Sequence, residues 1–191
     1  GGVECKIGGI AKGSGMIHPN MATMLVFITT DCNISPEMLQ TALSSDIKKT
    51  FNMVSVDGDT STNDMVSVLA NGMAGNKEIT TQGADFDAFM AALNTVTVYL
   101  CQKIAGDREG ATKLLECVVD GAVDEENAKL IAKSVICSSL VKAAMFGSDA
   151  NWGRVLCAIG YSGADVDVTK VSVAFKSVKG EIVVCENGAG V

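Results

Sequence analysis

The chain has 191 residues, 48% hydrophobic and 19% charged, with a formal net charge of −7 at pH 7. This composition excludes a disordered chain and predicts one domain, or a piece of one, since a domain takes about 100–200 residues. The excess of Asp and Glu argues against nucleic acid and anionic membranes as partners, and no apolar run reaches the roughly 20 residues of a membrane helix.

The first quarter of the chain alternates between strand and loop patterns. Residues 3–11 are strand-like, residues 12–22 form a Gly-rich irregular stretch, and residues 23–30 (TMLVFITT) predict a strand buried on both faces. Ser35 followed by Pro36 predicts the N-cap and first residue of a helix. That helix would bury Met38, Leu39, Ala42, Leu43 and Ile47.

The middle of the chain predicts a strand, a polar loop and two helices. Residues 51–56 are strand-like, residues 57–64 (DGDTSTND) are a polar loop, and residues 65–73 predict a short apolar helix. Side chains at helical spacing then predict a long amphipathic helix broken by the glycines at 106 and 110. These side chains are Phe86, Phe89, Met90, Leu93, Val96, Thr97, Leu100 and Ile104.

The last part of the chain continues the alternation of strands and helices. In order, it predicts a strand at 111–119, a helix from Asp124 to just before Gly147, a shorter helix from Asn151, a hairpin of 166–175 with 181–185, and a loop at 186–191. The whole order predicts a layered α/β domain.

Cysteine and histidine usage predicts no metal site. The seven cysteines show no CxxC spacing, and the single histidine, His18, has no cysteine at metal-finger distance. The even spread of cysteines favours buried free thiols in a reducing compartment. A Ser–His–Asp triad would have to use His18, and a lone histidine in a Gly-rich loop is more often incidental than a general base.

The informative segment is Lys12–Leu25 (KGSGMIHPNMATML), a Gly-rich loop that enters a strand beginning with Thr23. Most such threonines are structural. An N-terminal-nucleophile enzyme also keeps its threonine at the mouth of a core strand, and the residue becomes reactive when the preceding peptide bond is cut. Its α-amine, with a reference pKa of about 7.7–8.0, then serves as the general base for Oγ.

These residues resemble the cleavage-site signature of the ornithine acetyltransferases (glutamate N-acetyltransferases) of arginine biosynthesis. Three further segments match in family order: 55–64 (SVDGDTSTND), 106–113 (GDREGATK) and 148–154 (SDANWGR). His18 departs from the pattern, because the family more often has a small residue there. The resemblance implies an α/β layered sandwich of the N-terminal-nucleophile-like type, with sheets flanked by helices.

The resemblance also implies a reaction and its residues. The precursor cleaves itself between Ala22 and Thr23, so that residues 1–22 end an α chain and residues 23–191 form most of a β chain. Thr23 then takes the acetyl group from N2-acetyl-L-ornithine and passes it to L-glutamate. Lys12 would bind a substrate carboxylate, and Glu109 would bind a substrate ammonium group.

Further expectations come from the resemblance alone. It implies no cofactor and no metal, although some members also accept acetyl-CoA as a co-substrate. The α and β chains stay associated, and two αβ units form a heterotetramer. The oxyanion hole and some substrate contacts belong to parts of the enzyme outside this chain. The compartment is the cytoplasm for a bacterial protein and the mitochondrial matrix for a fungal one.

Two other functions stay open. One is a self-processed aminopeptidase or amidohydrolase of the same fold, in which water replaces glutamate as the acceptor. The other is a non-catalytic α/β binding module in which Thr23 is structural.

Several matched residues have ordinary structural alternatives. Residues 57–64 would cap the next helix and buttress the strand that follows Thr23, which we favour over direct catalysis. Trp152 would pack in a core. Arg154 would pair with a carboxylate, either of the protein or of a substrate, and the sequence leaves both open. Without the resemblance, Lys12 would be a solvated loop lysine.

Overall fold

The computed structural model describes residues 2–15, 17, 24–58, 63–107 and 110–191. The chain divides into two compact units, Gly1–Ala111 and Thr112–Val191, and each unit has its own hydrophobic core. Within the described ranges, none of the helices combines the length and the apolar character that crossing a membrane requires.

The first unit is built on a three-stranded sheet in the order β1-β2-β3. Strand β1 (Ile7–Lys12) pairs antiparallel with β2 (Leu25–Thr30), and β2 pairs parallel with β3 (Met65–Ala70). The helix predicted for residues 65–73 is therefore wrong. A short apolar run does not distinguish a strand from a buried helix, and here pairing with β2 decides the outcome.

The prediction that β2 is buried on both faces is also wrong. Its side chains alternate: Val26 and Ile28 are fully buried, whereas Leu25 and Phe27 are exposed. Alternation is typical of a sheet with helices packed on one face, and the buried side chains of β2 belong to the core of this unit. On the other face the sheet carries exposed apolar side chains: Ile10, Leu25, Phe27, Met65 and Leu69.

Two helices supply the rest of this core. Helix α1 (Pro36–Asp46) begins as predicted, with the Ser35 hydroxyl accepting a hydrogen bond from the Met38 amide at 3.3 Å. Helix α2 (Ala84–Gly106) is the predicted long helix and packs against β1 and α1. Its buried side chains lie at the predicted helical spacing: Phe86, Phe89, Leu93, Thr97, Leu100, Cys101 and Ile104.

The strand predicted for residues 51–56 is wrong, since the chain makes a 3₁₀ turn at Phe51–Met53 instead. The turn is closed by the Met53 amide, which donates to the Thr50 carbonyl at 2.9 Å. A buried network leads into it, because the Asp46 carboxylate accepts from Asn94 of α2 at 2.8 Å and from the Thr50 hydroxyl at 3.1 Å. Asn94 lies 48 positions from Asp46, so no local pattern reveals this part of the network.

Gly9 of β1 lets α2 approach the sheet closely. A methyl group added at Gly9 would lie 3.1 Å from Ile28 Cγ1, 3.1 Å from the Phe27 carbonyl oxygen and 3.2 Å from Leu100 Cδ1. Because one of these neighbours is backbone and the others are core side chains, we expect Gly9→Ala to lower the free energy of unfolding by about 1–3 kcal/mol. Chemical denaturation measures the change.

The neighbouring Gly8 provides the matched control, since a methyl group added there meets nothing within 4 Å. Gly8→Ala should change the free energy of unfolding by less than about 0.5 kcal/mol. Equal losses in the two variants would show that close packing at Gly9 is not the cause.

The second unit combines three helices with a small antiparallel sheet. Asp124 caps α3 (Glu125–Cys137) as predicted, but the helix stops at Ser138 and α4 (Ser139–Phe146) begins anew, where a single helix was predicted. The extended backbone of Ser138 makes the break, and its hydroxyl accepts from the Val141 amide at 3.3 Å. Helix α5 (Trp152–Gly160) follows with Asn151 as its N-cap, as predicted.

The predicted hairpin is confirmed in β4 (Val173–Ser177) and β5 (Gly180–Glu186), which pair antiparallel. The loop predicted for 186–191 instead contains β6 (Ala189–Gly190), paired with β5. Asn187 and Gly188 have φ values of 49° and 75°, so they form the tight turn that brings β6 back. The strand predicted for 111–119 is wrong, because residues 111–120 carry no helix or strand assignment.

All seven cysteines are free, as predicted, but only Cys32, Cys101 and Cys185 are buried. Burial raises the pKa of the Cys101 thiol to about 12, which keeps it protonated at physiological pH.

Candidate active site at the junction of the Gly-rich loop and strand β2

The two residues of the predicted cleavage site, Ala22 and Thr23, lie outside the described residues, as do His18 and Glu109. The structure describes the residues on both sides of the predicted cleavage site. Ile17 precedes the segment 18–23, and Met24 follows it. Both side chains are buried in the core of the first unit, with exposures of 0% and 1%.

Ile17 is held by the start of the polar segment 57–64. Its amide donates to Asp57 Oδ1 at 3.2 Å, and its carbonyl oxygen accepts from the Val56 amide at 2.7 Å. The backbone of Ile17 is therefore held by two hydrogen bonds to residues about 40 positions further along the chain.

Met24 is held in the same manner by the end of that segment. Its amide donates to Asp64 Oδ1 at 2.6 Å, and its carbonyl oxygen accepts from the Met65 amide at 2.9 Å. Since β3 begins at Met65 and runs parallel to β2, sheet pairing itself brings Asp64 to the start of β2. The peptide group that Asp64 binds joins Thr23 to Met24.

Asp57 and Asp64 thus hold Ile17 and Met24, the described residues on either side of segment 18–23. The expectation that residues 57–64 cap a helix is wrong, because a strand follows. The expectation that they buttress the strand after Thr23 is supported by the bond from Met24 to Asp64.

The second carboxylate oxygen of Asp64 is the unusual atom of this site. Oδ2 is buried and has no hydrogen-bond partner among the described residues. Burial raises the pKa of Asp64, and the bond from the Met24 amide partly offsets this by lowering it. An unpaired buried carboxylate oxygen carries a desolvation cost that a cationic partner would relieve.

Lys12 is the one residue of the predicted substrate site that the structure describes. It is the last residue of β1 and lies opposite Leu25 in the antiparallel register. Leu25 comes two positions after Thr23 in the chain. Its side chain is exposed. The sheet therefore places Lys12 beside the start of β2, with its side chain exposed.

Lys113 and Ser148, one from each of the two other matched segments, are in contact in the second unit. Lys113 Nζ donates to Ser148 Oγ at 2.7 Å and to the carbonyl oxygens of Met145 and Phe146 at 2.6 and 3.2 Å. Lys113 lies outside α4, and its ammonium group binds carbonyl groups at the C-terminal end of that helix, which have no partner within the helix. The contact between Lys113 and Ser148 is therefore structural.

Arg154 and Trp152 also have structural contacts. Arg154 Nη1 donates to the Leu140 carbonyl oxygen at 2.9 Å, where sequence reasoning expected a carboxylate partner. The backbone of Gly190 lies against the indole of Trp152, since a methyl group at Gly190 would come within 2.8 Å of the ring. Packing, as predicted, is the role that the structure supports for Trp152.

Sequence reasoning assigned no separate roles to Asp57 and Asp64. The available signal was the placement of an aspartate at each end of a polar segment that matched the family pattern. In the part of the chain that the structure describes, no three His, Cys, Asp or Glu side chains come together in a group that could hold a metal ion.

Comparison with known proteins shows which protein family the sequence matches. The family model described as "ArgJ family" matches residues 1–191. The arginine biosynthesis bifunctional protein ArgJ 1 of Clostridium acetobutylicum is 55% identical over 181 residues, covering 95% of this chain and 44% of the relative. The ArgJ protein of Thermotoga neapolitana is 52% identical over 190 residues, covering 100% and 48%. The chain therefore spans slightly less than half the length of these relatives.

A solved structure gives the same result for the fold. The crystal structure of the arginine biosynthesis bifunctional protein argJ from Bacillus halodurans matches with a TM-score of 0.79 and 43% sequence identity. The match covers 87% of this chain and 76% of that one. The predicted class, an α/β layered fold of the N-terminal-nucleophile-like type, is confirmed by this likeness.

Proposed function

The chain belongs to the ArgJ family, and from that premise we propose that it is the central part of a self-cleaving acyltransferase of arginine biosynthesis. The reaction is transfer of the acetyl group from N2-acetyl-L-ornithine to L-glutamate. Acetyl-CoA is a second acetyl donor in the proposal, and no bound cofactor is required. The observation that supports the proposal is that Ile17 and Met24, which flank the segment containing Ala22 and Thr23, are held by hydrogen bonds to Asp57 and Asp64.

Self-cleavage is the first step. Thr23 Oγ attacks the Ala22 carbonyl carbon, the bond from that carbon to the Thr23 nitrogen breaks, and the nitrogen takes up a proton. Water then hydrolyses the resulting ester, which releases the Ala22 carboxylate and leaves Thr23 with a free α-amine and a free hydroxyl. Residues 1–22 become the end of an α chain, and residues 23–191 become most of a β chain.

Turnover is a double displacement through an acetyl-threonine ester. The α-amine of Thr23 removes the proton of Oγ as Oγ attacks the acetyl carbonyl of acetylornithine, and ornithine leaves with a proton. The amino group of glutamate then attacks the ester, and Oγ regains its proton as N-acetylglutamate leaves. Lys12 binds a substrate carboxylate and Glu109 a substrate ammonium group, each through a charge-assisted hydrogen bond.

The assembly follows from the same proposal. The α and β chains stay associated after the cut, because β1 and β2 lie on opposite sides of it and share a ladder of backbone hydrogen bonds. Two αβ units form the heterotetramer. The matched relatives are bacterial, which supports a cytoplasmic enzyme.

An acceptor experiment tests the activity. We expect the full-length protein, given acetylornithine and glutamate, to form ornithine and N-acetylglutamate in equal amounts. Without glutamate, ornithine release should stop after about one equivalent per active site, because the acetyl-threonine ester then accumulates. Continuous release of ornithine and acetate without glutamate would contradict the transferase and indicate a hydrolase.

A further inference from the structure

Only one of the two oxygens of the Asp64 carboxylate has a hydrogen-bond partner among the described residues. Oδ1 accepts a short hydrogen bond from the Met24 amide, whereas Oδ2 is buried and has no partner among the described residues. Buried polar atoms in folded proteins nearly always have a partner, so an unpaired carboxylate oxygen points to a group that the site acquires. The partner of an ionised carboxylate is best a cation.

The position of Asp64 limits what that partner can be. The Met24 amide belongs to the peptide bond formed by the carboxyl group of Thr23. Three covalent bonds separate the Thr23 nitrogen from the Met24 nitrogen, so the two atoms are less than about 4 Å apart in any conformation. Because Asp64 Oδ1 lies 2.6 Å from Met24 N, rotation about the bond between the α-carbon and the carbonyl carbon of Thr23 can bring the Thr23 nitrogen to the same carboxylate.

The charge of the Thr23 nitrogen changes when the chain is cut. Before cleavage it is a neutral amide that donates a single hydrogen bond. After cleavage it is an α-amine, which is cationic when protonated and has three hydrogens to donate. Cleavage thus creates a cation on the residue before Met24, whose amide binds the Asp64 carboxylate, and Oδ2 of that carboxylate has no partner among the described residues.

We propose that Asp64 is a positioning residue whose free oxygen Oδ2 receives the α-ammonium group that cleavage after Ala22 creates on Thr23. The inference rests on the proposed function, since it requires that Thr23 become an N-terminus. The bond orients the amine with respect to the Thr23 hydroxyl, which it must deprotonate in turnover.

The same bond sets the basicity of the amine. An opposite charge within a few ångströms favours the charged form, by about one to three pKa units. Other titratable groups of the surrounding elements are Asp57 at the start of the same segment and Lys12 at the end of β1. His18 and Asp59 lie outside the described residues. Of the described carboxylates, Asp64 alone is bound to the Thr23–Met24 peptide group.

The test is the pH dependence of kcat/KM in Asp64→Asn, measured on the full-length protein. Activity rises with pH as the α-amine loses its proton, and the midpoint of that rise reports the pKa of the amine in the free enzyme. Asparagine keeps the size and an oxygen for the Met24 amide but removes the charge. We expect Asp64→Asn to be cleaved and its midpoint to move to lower pH by about one unit.

Asp57→Asn is the matched control, because Asp57 anchors the other end of the cleavage segment at Ile17. A purely structural loss there can slow cleavage or lower kcat, and it should leave the midpoint where the wild type has it. Asp64→Glu, which keeps the charge, should also leave the midpoint near that of the wild type.

Two results would overturn the assignment. One is a cleaved Asp64→Asn enzyme with an unmoved midpoint. The other is a folded Asp64→Asn protein that stays uncut, which would show that the carboxylate is needed before the ammonium group exists. Both differ from failure of the proposed function itself, in which the wild type would lack an N-terminal Thr23.

A measurement on the wild type covers the case in which Asp64→Asn does not fold. Competitive acetylation of the protein's α-amines over a range of pH gives the pKa of the Thr23 amine directly. We expect a value above the reference range of about 7.7–8.0. A value at or below that range would overturn the assignment.

Discussion

Thr23→Ala should leave the full-length protein as a single chain and reduce acetyl transfer by about 10³-fold or more. Alanine has no hydroxyl to attack the Ala22 carbonyl, so the ester that precedes cleavage cannot form. Without cleavage there is no free α-amine and no nucleophile, and loss of a nucleophile costs as much as loss of the entire catalytic unit. Denaturing electrophoresis and the acetylornithine assay measure the two effects on the same preparation.

Thr23→Ser provides the control for this prediction. Serine retains the hydroxyl and the future α-amine, so the variant should still cleave itself and form N-acetylglutamate at an altered rate. A Thr23→Ala protein that transfers acetyl groups as fast as the wild type would contradict the role of Thr23, and would favour the binding module in which this residue is structural.

Phe51→Ala should lower the free energy of unfolding by about 3–5 kcal/mol, the largest stability loss that we expect in the first unit. Phe51 is 1% exposed and belongs to the core of that unit. Its removal leaves a cavity beside the 3₁₀ turn that leads to Val56 and Asp57, the residues that hold Ile17. The cleaved fraction should therefore fall together with stability, as measured by chemical denaturation and electrophoresis.

Phe51→Leu is the control, since leucine fills most of the same space. Its loss should be smaller, about 1 kcal/mol. If the alanine variant were no less stable than the leucine variant, Phe51 would not support the turn by packing.

Helix caps and apolar spacing in the sequence correctly predicted the helices whose position depends on neighbouring residues. Ser35 and Pro36 start α1, Asp124 caps α3, and the apolar spacing of α2 gives a helix of the expected position. In each case the residues that decide the structure are neighbours in sequence. The β4–β5 hairpin was predictable for the same reason, because its turn lies between adjacent strands.

Predictions failed where distant residues decide. Residues 65–70 are apolar enough for either a helix or a strand, and parallel pairing with β2 makes them a strand. The turn at 51–53 follows Thr50, which bonds to Asp46, and the distant partner of that Asp46 carboxylate is Asn94 of α2, 48 positions away. The exposure of Leu25 and Phe27 depends on which face of the sheet the helices cover, and an apolar run does not encode that choice.

In the candidate site, too, some features follow from local sequence and others depend on distant residues. The proposed nucleophile and cleavage site come from a contiguous segment, Lys12–Leu25, and from the family resemblance that this segment carries, and both stay predictions. The contact between Asp64 and Met24 spans 40 positions of the chain and forms only when β3 pairs with β2. Sequence reasoning could place an aspartate in the matched segment 55–64, but it could not assign that aspartate to the amide next to Thr23.

Cleavage at Ala22–Thr23 is the central claim, and the intact mass with N-terminal sequence of the purified full-length protein tests it most directly. We predict two species, of which one ends at Ala22 and the other begins Thr23-Met24-Leu25. A single uncut chain that transfers acetyl groups at full rate would contradict the claim.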